Sequence, residues 1–210
     1  NLDVSQNTAL TKLDCYSNQL TSLDVSQNTA LTELDCYDNQ ITNLDVSQNT
    51  ALTVLWCYNN QITNLDVSQN LALWNFRCSN NQLTNLDVSN NENLEQLICR
   101  NNQLTSLDVR NGNNQNFGFF YVTGNPNLTC INVDDVTYST NNWTVSNNNI
   151  NSQHYFSTNC PPPSSIQEHT TDKKLLEVTD LLGKETKGSM NEPLFYIYDD
   201  GTVEKRIIIE

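Results

Sequence analysis

Glycine is absent from this 210-residue chain until Gly112. A chain that must turn often without glycine has to turn on another residue that tolerates unusual backbone. Histidine is almost absent too, with His154 and His169 as the only two. No nucleophile elbow, phosphate loop or H-E-x-x-H pattern occurs, so catalysis finds no foothold and no cofactor is implied. Basic residues are scarce: 10 against 24 acidic, for a formal net charge of −14. That balance argues against nucleic acid or an anionic membrane as partner. No apolar run approaches the roughly 18 residues of a membrane-spanning helix. No signal peptide is recognisable, and the chain opens in mid-phrase with "NLDVSQNTAL", as a mature fragment or a shortened record would.

What is there is repetition. "LTELDCYDNQITNLDVSQNTA", Leu31 to Ala51, recurs with small changes from Leu10, Leu52, Leu73 and Leu94. A fixed period of 21 residues means stacked coils of a solenoid. Apolar letters alternate at Leu31, Leu34 and Cys36, the period of a half-buried strand. A second alternation, Leu44 and Val46 in "LDVS", predicts another strand on the opposite side of the coil. No window has helical periodicity. Asn18, Asn39, Asn60, Asn81, Asn102 and Asn125 follow the first strand, and Asn7, Asn28, Asn49, Asn70 and Asn91 the second. Asparagine tolerates left-handed backbone and bonds locally, so these positions are expected to make the corners.

The pattern L-x-x-L-x-C-x-x-N-x-L resembles the leucine-rich repeat, with Cys where Leu often stands, and the "LDVS" half resembles its short bacterial subtype. The resemblance implies a right-handed, mainly β solenoid over residues 1–126, with a parallel sheet on its concave face, little or no helix and a partner-binding role. Cys15, Cys36, Cys57, Cys78 and Cys99 fall 21 apart on the inward side of that strand. In-register neighbours stand about 4.8 Å apart with parallel Cα–Cβ vectors, which suits neither a disulfide nor a metal. Small apolar core residues are the expectation. Asp3, Asp24, Asp45, Asp66, Asp87 and Asp108 form an outward ladder. One carboxylate per coil, with no second acid and no Gly-rich loop, makes hydrogen bonding at the corners the expected role rather than calcium binding.

"NPNLTCINVDD", Asn125 to Asp135, looks like a decayed last repeat, and residues 127–160 should cap the open end of the core. Cys130 and Cys160 break the cysteine period. Paired, they would close a loop of about 30 residues and stabilise the cap by about 3 kcal/mol, in an oxidising compartment; the alternative is two stray thiols. "CPPPSS" then opens a Pro-rich linker over 161–170. Composition shifts at 171–210, where "YIYDDGTVEKRIII" predicts a hairpin turning at Asp200-Gly201 in a small antiparallel β module. "LLEVTDLLGKE" with its Gly183, that hairpin and the terminal "RIIIE" resemble a type IX secretion sorting domain. The resemblance implies export machinery as a partner and an extracellular or cell-surface location.

The outward letters of the first strand vary while the frame holds. Tyr16, Tyr37 and Tyr58 form a stripe with Trp56 beside it; Asp14, Asp35 and Asp38 crowd the early coils, and Arg77 and Arg100 close the later ones. Aromatic residues and arginine are what binding faces concentrate. These nine residues are the candidate ligand-binding set, for a protein or glycan engaged by a monomer, in adhesion for instance. The alternative is a structural spacer without a specific ligand, whose Tyr residues merely stack on themselves.

Overall fold

The structure, a computed structural model, describes residues 2–161, 175–179, 193–198 and 203–207. The chain forms two compact units, Asn1–Pro163 and Ser164–Glu210.

The first unit is a parallel β solenoid. Three-residue strands β1 (Lys12–Asp14), β2 (Glu33–Asp35), β3 (Val54–Trp56) and β4 (Asn75–Arg77) stack in register, 21 residues apart. On the other side of the coil run β5 (Asn85–Asp87) and β7 (Ser106–Asp108), with β6 (Gln96–Ile98) between them in sequence. A 3₁₀ turn (Asn114–Asn116) precedes β8 (Phe119–Tyr121), which pairs with β6 through Gln96↔Phe119. One sheet therefore has the order β1-β2-β3-β4-β6-β8. The strands expected from "LDVS" form only in part. Leu2 bridges Leu23, and β5 pairs with β7, whereas Leu44 and Val46 lie outside any strand though both are buried.

The core is the space inside the coils. Leu31, Leu34, Cys36, Ile41 and Val46 have no exposed surface, and each later coil repeats the set. Full burial of one such side chain is worth about 2 kcal/mol. Phe76 replaces Leu at one rung and Phe120 at another, and both are buried.

The corners are built differently from the expectation. The left-handed residues are Ser17, Asp38, Asn59, Asn80 and Asn101, with φ of 53–55°, one position before the asparagines singled out above. At the next corner Gly124 takes φ 78°, and a Cβ there would stand 2.0 Å from Oδ1 of Asn101. The following asparagine is instead a pin. The Asn39 amide donates to the carbonyls of Cys15 and Cys36 at 3.1 Å, and its Oδ1 accepts from the N–H of Leu20 at 3.0 Å. Asn60, Asn81 and Asn102 repeat this bond set. On the opposite corner Asn28, Asn49, Asn70 and Asn91 donate to carbonyls of the preceding coil. A coil with only three residues in a strand leaves many backbone groups to satisfy away from water, and buried amides do it.

Beyond β8, strands β9 (Cys130–Asn132) and β10 (Tyr155–Ser157) extend the second sheet to the order β10-β9-β7-β5. Between them lies the helix α1 (Val136–Asn142), capped by Asp135, whose side chain accepts from the N–H of Tyr138 at 3.0 Å. Trp143, 3% exposed, stacks on Phe120 at 3.9 Å and meets Phe117 and Phe156 edge-on, which closes that end of the core. Cys130 and Cys160 are disulfide-bonded. The pair ties a residue three positions beyond β10 to the start of β9.

In the second unit β11 (Leu175–Thr179), β12 (Pro193–Tyr198) and β13 (Val203–Ile207) form an antiparallel sheet in that order. The β12–β13 pairing runs from Pro193↔Ile207 to Ile197↔Val203, the register of a hairpin. The expected turn at Asp200-Gly201, Gly183 and the terminal "RIIIE" beyond Ile207 lie outside the described residues, as does the expected linker beyond Pro161.

Candidate binding face

The outer surface of the six-stranded sheet collects most of the variable residues named above, with Asp38 at the corner beside it. Leu34 and Cys36 point in, so Glu33, Asp35 and Tyr37 line the outside, and the same alternation holds in each coil. Tyr16 and Tyr37 stack at 4.6 Å with an interplanar angle of 4°, and Tyr37 and Tyr58 at 4.4 Å and 8°. Both faces of Tyr37 are therefore occupied. Burial, then the neighbouring Tyr37, pushes the Tyr58 phenol up to about 12.

Trp56 continues the aromatic surface toward the arginines. Its indole N–H donates to Oδ1 of Asn75 at 3.2 Å, and Nε of Arg77 donates to the same oxygen at 3.3 Å. Asn75 thus holds the guanidinium of Arg77 over the Trp56 ring, 4.6 Å from its centroid. Arg100 repeats the arrangement further on, 4.3 Å above the Tyr121 ring, with one amino group donating to the carbonyl of Asn148 at 3.2 Å. Cation–π pairing of this kind fixes flexible arginines and leaves them aimed.

The acidic residues divide into three roles. Asp14 meets Nζ of Lys12 at 3.6 Å on the surface. Asp38 is a corner residue in left-handed backbone that accepts from the Asn59 amide, so it heads an amide ladder rather than presenting a free carboxylate. Asp35, expected outside and open, is only 9% exposed. Its in-register neighbours Asp14 and Trp56 close over it. Burial, and then the charge of Asp14, pushes its carboxyl above the usual range.

Sequence reasoning missed one end of this face. β8 adds Phe119, 46% exposed, and Tyr121 beside Arg100. The coil leading to β8 is two residues longer than the others, which hid the strand from a period search. The run "FGFFYV" was the available signal. Trp74, 38% exposed, lies just before β4 and, with Leu71, marks an apolar corner where the first three coils carry Thr and the fifth Glu.

The remaining ladders are structural. Asp3, Asp24, Asp45, Asp66 and Asp87 each accept from the N–H of the serine two residues on, at 2.8–3.0 Å. Those bonds hold the carboxyls of Asp3, Asp24, Asp45 and Asp66 below the usual range. The five ladder cysteines are free and buried. Burial pushes Cys15 up to about 11 and Cys57 and Cys99 up to about 12, with Cys36 and Cys78 also well raised. They are inert thiols in an apolar core.

This architecture is similar to that of leucine-rich-repeat solenoids. The family model for leucine-rich repeats in two copies matches residues 8–49 and 29–72. Among solved structures, the functional domain of InlJ from Listeria monocytogenes, described as including a cysteine ladder, is 37% identical with a TM-score of 0.57; the match covers 63% of this chain and 33% of that one. A leucine-rich-repeat protein of Leptospira interrogans is 26% identical over 59% of this chain and 39% of its own, at a TM-score of 0.46. The internalin InlF of L. monocytogenes is 23% identical over 76% of this chain and 44% of its own, at a TM-score of 0.48. The chain thus spans about a third of the InlJ domain and less than half of the other two. No curated protein matches the sequence.

Proposed function

We propose that the six-stranded face binds a protein ligand, for a chain that works outside the cell or displayed on its surface. The observation that carries this reading is the concentration of coil-to-coil variation on one face. Tyr16 and Phe119 are exposed there, and Arg77 and Arg100 are held over aromatic rings. Binding faces put their energy into such anchors. A protein fits better than a glycan. Sugar stacking needs open ring faces, and Tyr37 has given both of its faces to its neighbours. The Cys130–Cys160 disulfide agrees with an oxidising location.

A protein and glycan array probed with the full chain tests the reading. For the ligand found, Trp56→Ala or Tyr37→Ala should weaken binding by about 2 kcal/mol, while Asp45→Asn and Asp66→Asn leave it within experimental error. A glycan ligand would reassign the class. Equal affinity for wild type and aromatic variants would move the site elsewhere.

The tyrosine stack also favours the spacer reading, since a purely structural ladder stacks in the same way. Then Tyr37→Ala would lose about 1 kcal/mol of stability and the array would stay empty.

The second unit is read as an export address, on its resemblance to type IX sorting domains. A periplasmic reporter fused to residues 164–210 should appear in the medium of a bacterium that has the system. Retention of the reporter would make the unit an ordinary β appendage.

A further inference from the structure

The second sheet ends on an open strand. β10 is its last member, in the order β10-β9-β7-β5. The Tyr155 N–H donates to the Thr129 carbonyl at 2.8 Å, and the Ser157 carbonyl accepts from the Val133 N–H at 2.9 Å. Residues 155 and 157 therefore turn their backbone to β9. The alternation of a ladder then turns the N–H and C=O of Phe156 to the free side, where no described residue bonds to them. Such an edge is a template for another strand, and proteins commonly guard it with charge. Charge is missing here: residues 136–160 hold no Asp, Glu, Lys or Arg, in a chain of net charge −14. Apolar groups stand exposed on the same cap, with Val136 at 36%, Val145 at 54% and Tyr155 at 45%. Tyr155 also borders a cleft lined by Trp143, Val145, Ile150 and His154.

We propose that β10 is a dimer edge, where a second copy of this chain adds its own β10 in antiparallel pairing about a two-fold axis at Phe156. Charge chooses the occupant. Two molecules of net charge −14 repel over most of their surfaces. An uncharged cap is where they touch with least repulsion, and interface cores are depleted of charge in the same way. The edge is also self-complementary. Facing residues of an antiparallel pair exchange both N–H···O bonds, and Phe156 turns both groups outward. That register sets Tyr155 opposite Ser157 of the partner subunit, a small residue that leaves room for the ring. A two-fold contact of this kind closes on itself, so assembly stops at two. The sheet that holds β10 lies across the coil from the six-stranded face. The pair therefore leaves both candidate faces open and engages a repeated ligand with avidity. A dimer replaces the monomer expected from the sequence.

Analytical ultracentrifugation of the full chain over a concentration series tests this. Wild type should reach twice the chain mass. Tyr155→Lys brings two like charges together at the edge and should raise the dimer dissociation constant by at least about tenfold. Val145→Lys, at a residue still more exposed, repeats the test should Tyr155→Lys fail to fold by circular dichroism. Phe119→Lys, at a residue as exposed as Tyr155 but on the six-stranded face, should leave the dimer intact. Hydrogen exchange reads the edge itself, since the Phe156 amide should be protected in the dimer and open on dilution. A wild type that stays monomeric at every concentration overturns the proposal. So does a dimer that survives both cap lysines, or one that Phe119→Lys breaks.

Discussion

Raising the pH through about 9 to 11 should steeply destabilise the solenoid, because its core holds a column of protonated thiols. Unfolded cysteine ionises near its reference value of 9.0, whereas burial holds Cys57 and Cys99 at about 12 and raises Cys36 and Cys78 as well. The folded state keeps its protons longer than the unfolded state. The stability these thiols contribute is therefore fully present below about pH 9 and is lost as pH climbs through the folded values. Each thiol gives up about 1.4 kcal/mol per pH unit in that window. Cys57 and Cys99 together lose roughly 3 kcal/mol by about pH 10, and Cys36 and Cys78 add to that loss. Cys15, held at about 11, adds a similar loss up to that pH and levels off sooner. Denaturant titrations at a series of pH values check this, with far-UV circular dichroism as the signal. Thiol counting on denatured, unreduced protein should find five. Stability that stays level from pH 8 to pH 10.5 would show that the column is hydrated or already oxidised.

Asn60→Ala should cost about 4 kcal/mol, more than a single large-to-small change of its size on the surface. The Asn60 amide donates to the carbonyls of Cys36 at 3.0 Å and Cys57 at 3.1 Å, and its Oδ1 accepts from the N–H of Ile41 at 2.9 Å. Alanine leaves those backbone groups in a dry corner with nothing to bond, at about 1–3 kcal/mol each. Its neighbour makes the control. Asn59 is the left-handed residue, with φ 55° and exposed side-chain bonds. Asn59→Ala should cost about 1 kcal/mol, the price of a left-handed alanine. Urea unfolding of the two variants measures the difference. If the two cost the same, the backbone turn and not the amide pin holds the corner together.

Much of the fold was legible because a repeat multiplies its signal. One coil is a weak pattern, but five in register show which letters face the core. The strand at Lys12–Asp14 and its successors, the buried cysteines and the serine-bonded aspartates all follow from alternation and spacing. The candidate face followed for the same reason, since its residues are the letters free to change. Where periodicity failed, so did the reading. β8 went unseen behind a longer coil, and with it Phe119 and Tyr121.

The sequence by itself determined the solenoid, its in-register stacking of short strands and the single face on which variation collects. Those depend on which residues prefer water, a property each side chain carries with it. Three matters waited for the tertiary structure. The left-handed turn falls on Asp38 and Asn59 rather than on Asn39 and Asn60, because only the assembled corner shows which amide is enclosed enough to pin the backbone. The tyrosine faces are spent on each other. Asp35, outward by alternation, is sealed over by Asp14 and Trp56. Burial and ring contact are set by neighbours 21 residues away in sequence, and alternation within one strand is blind to them.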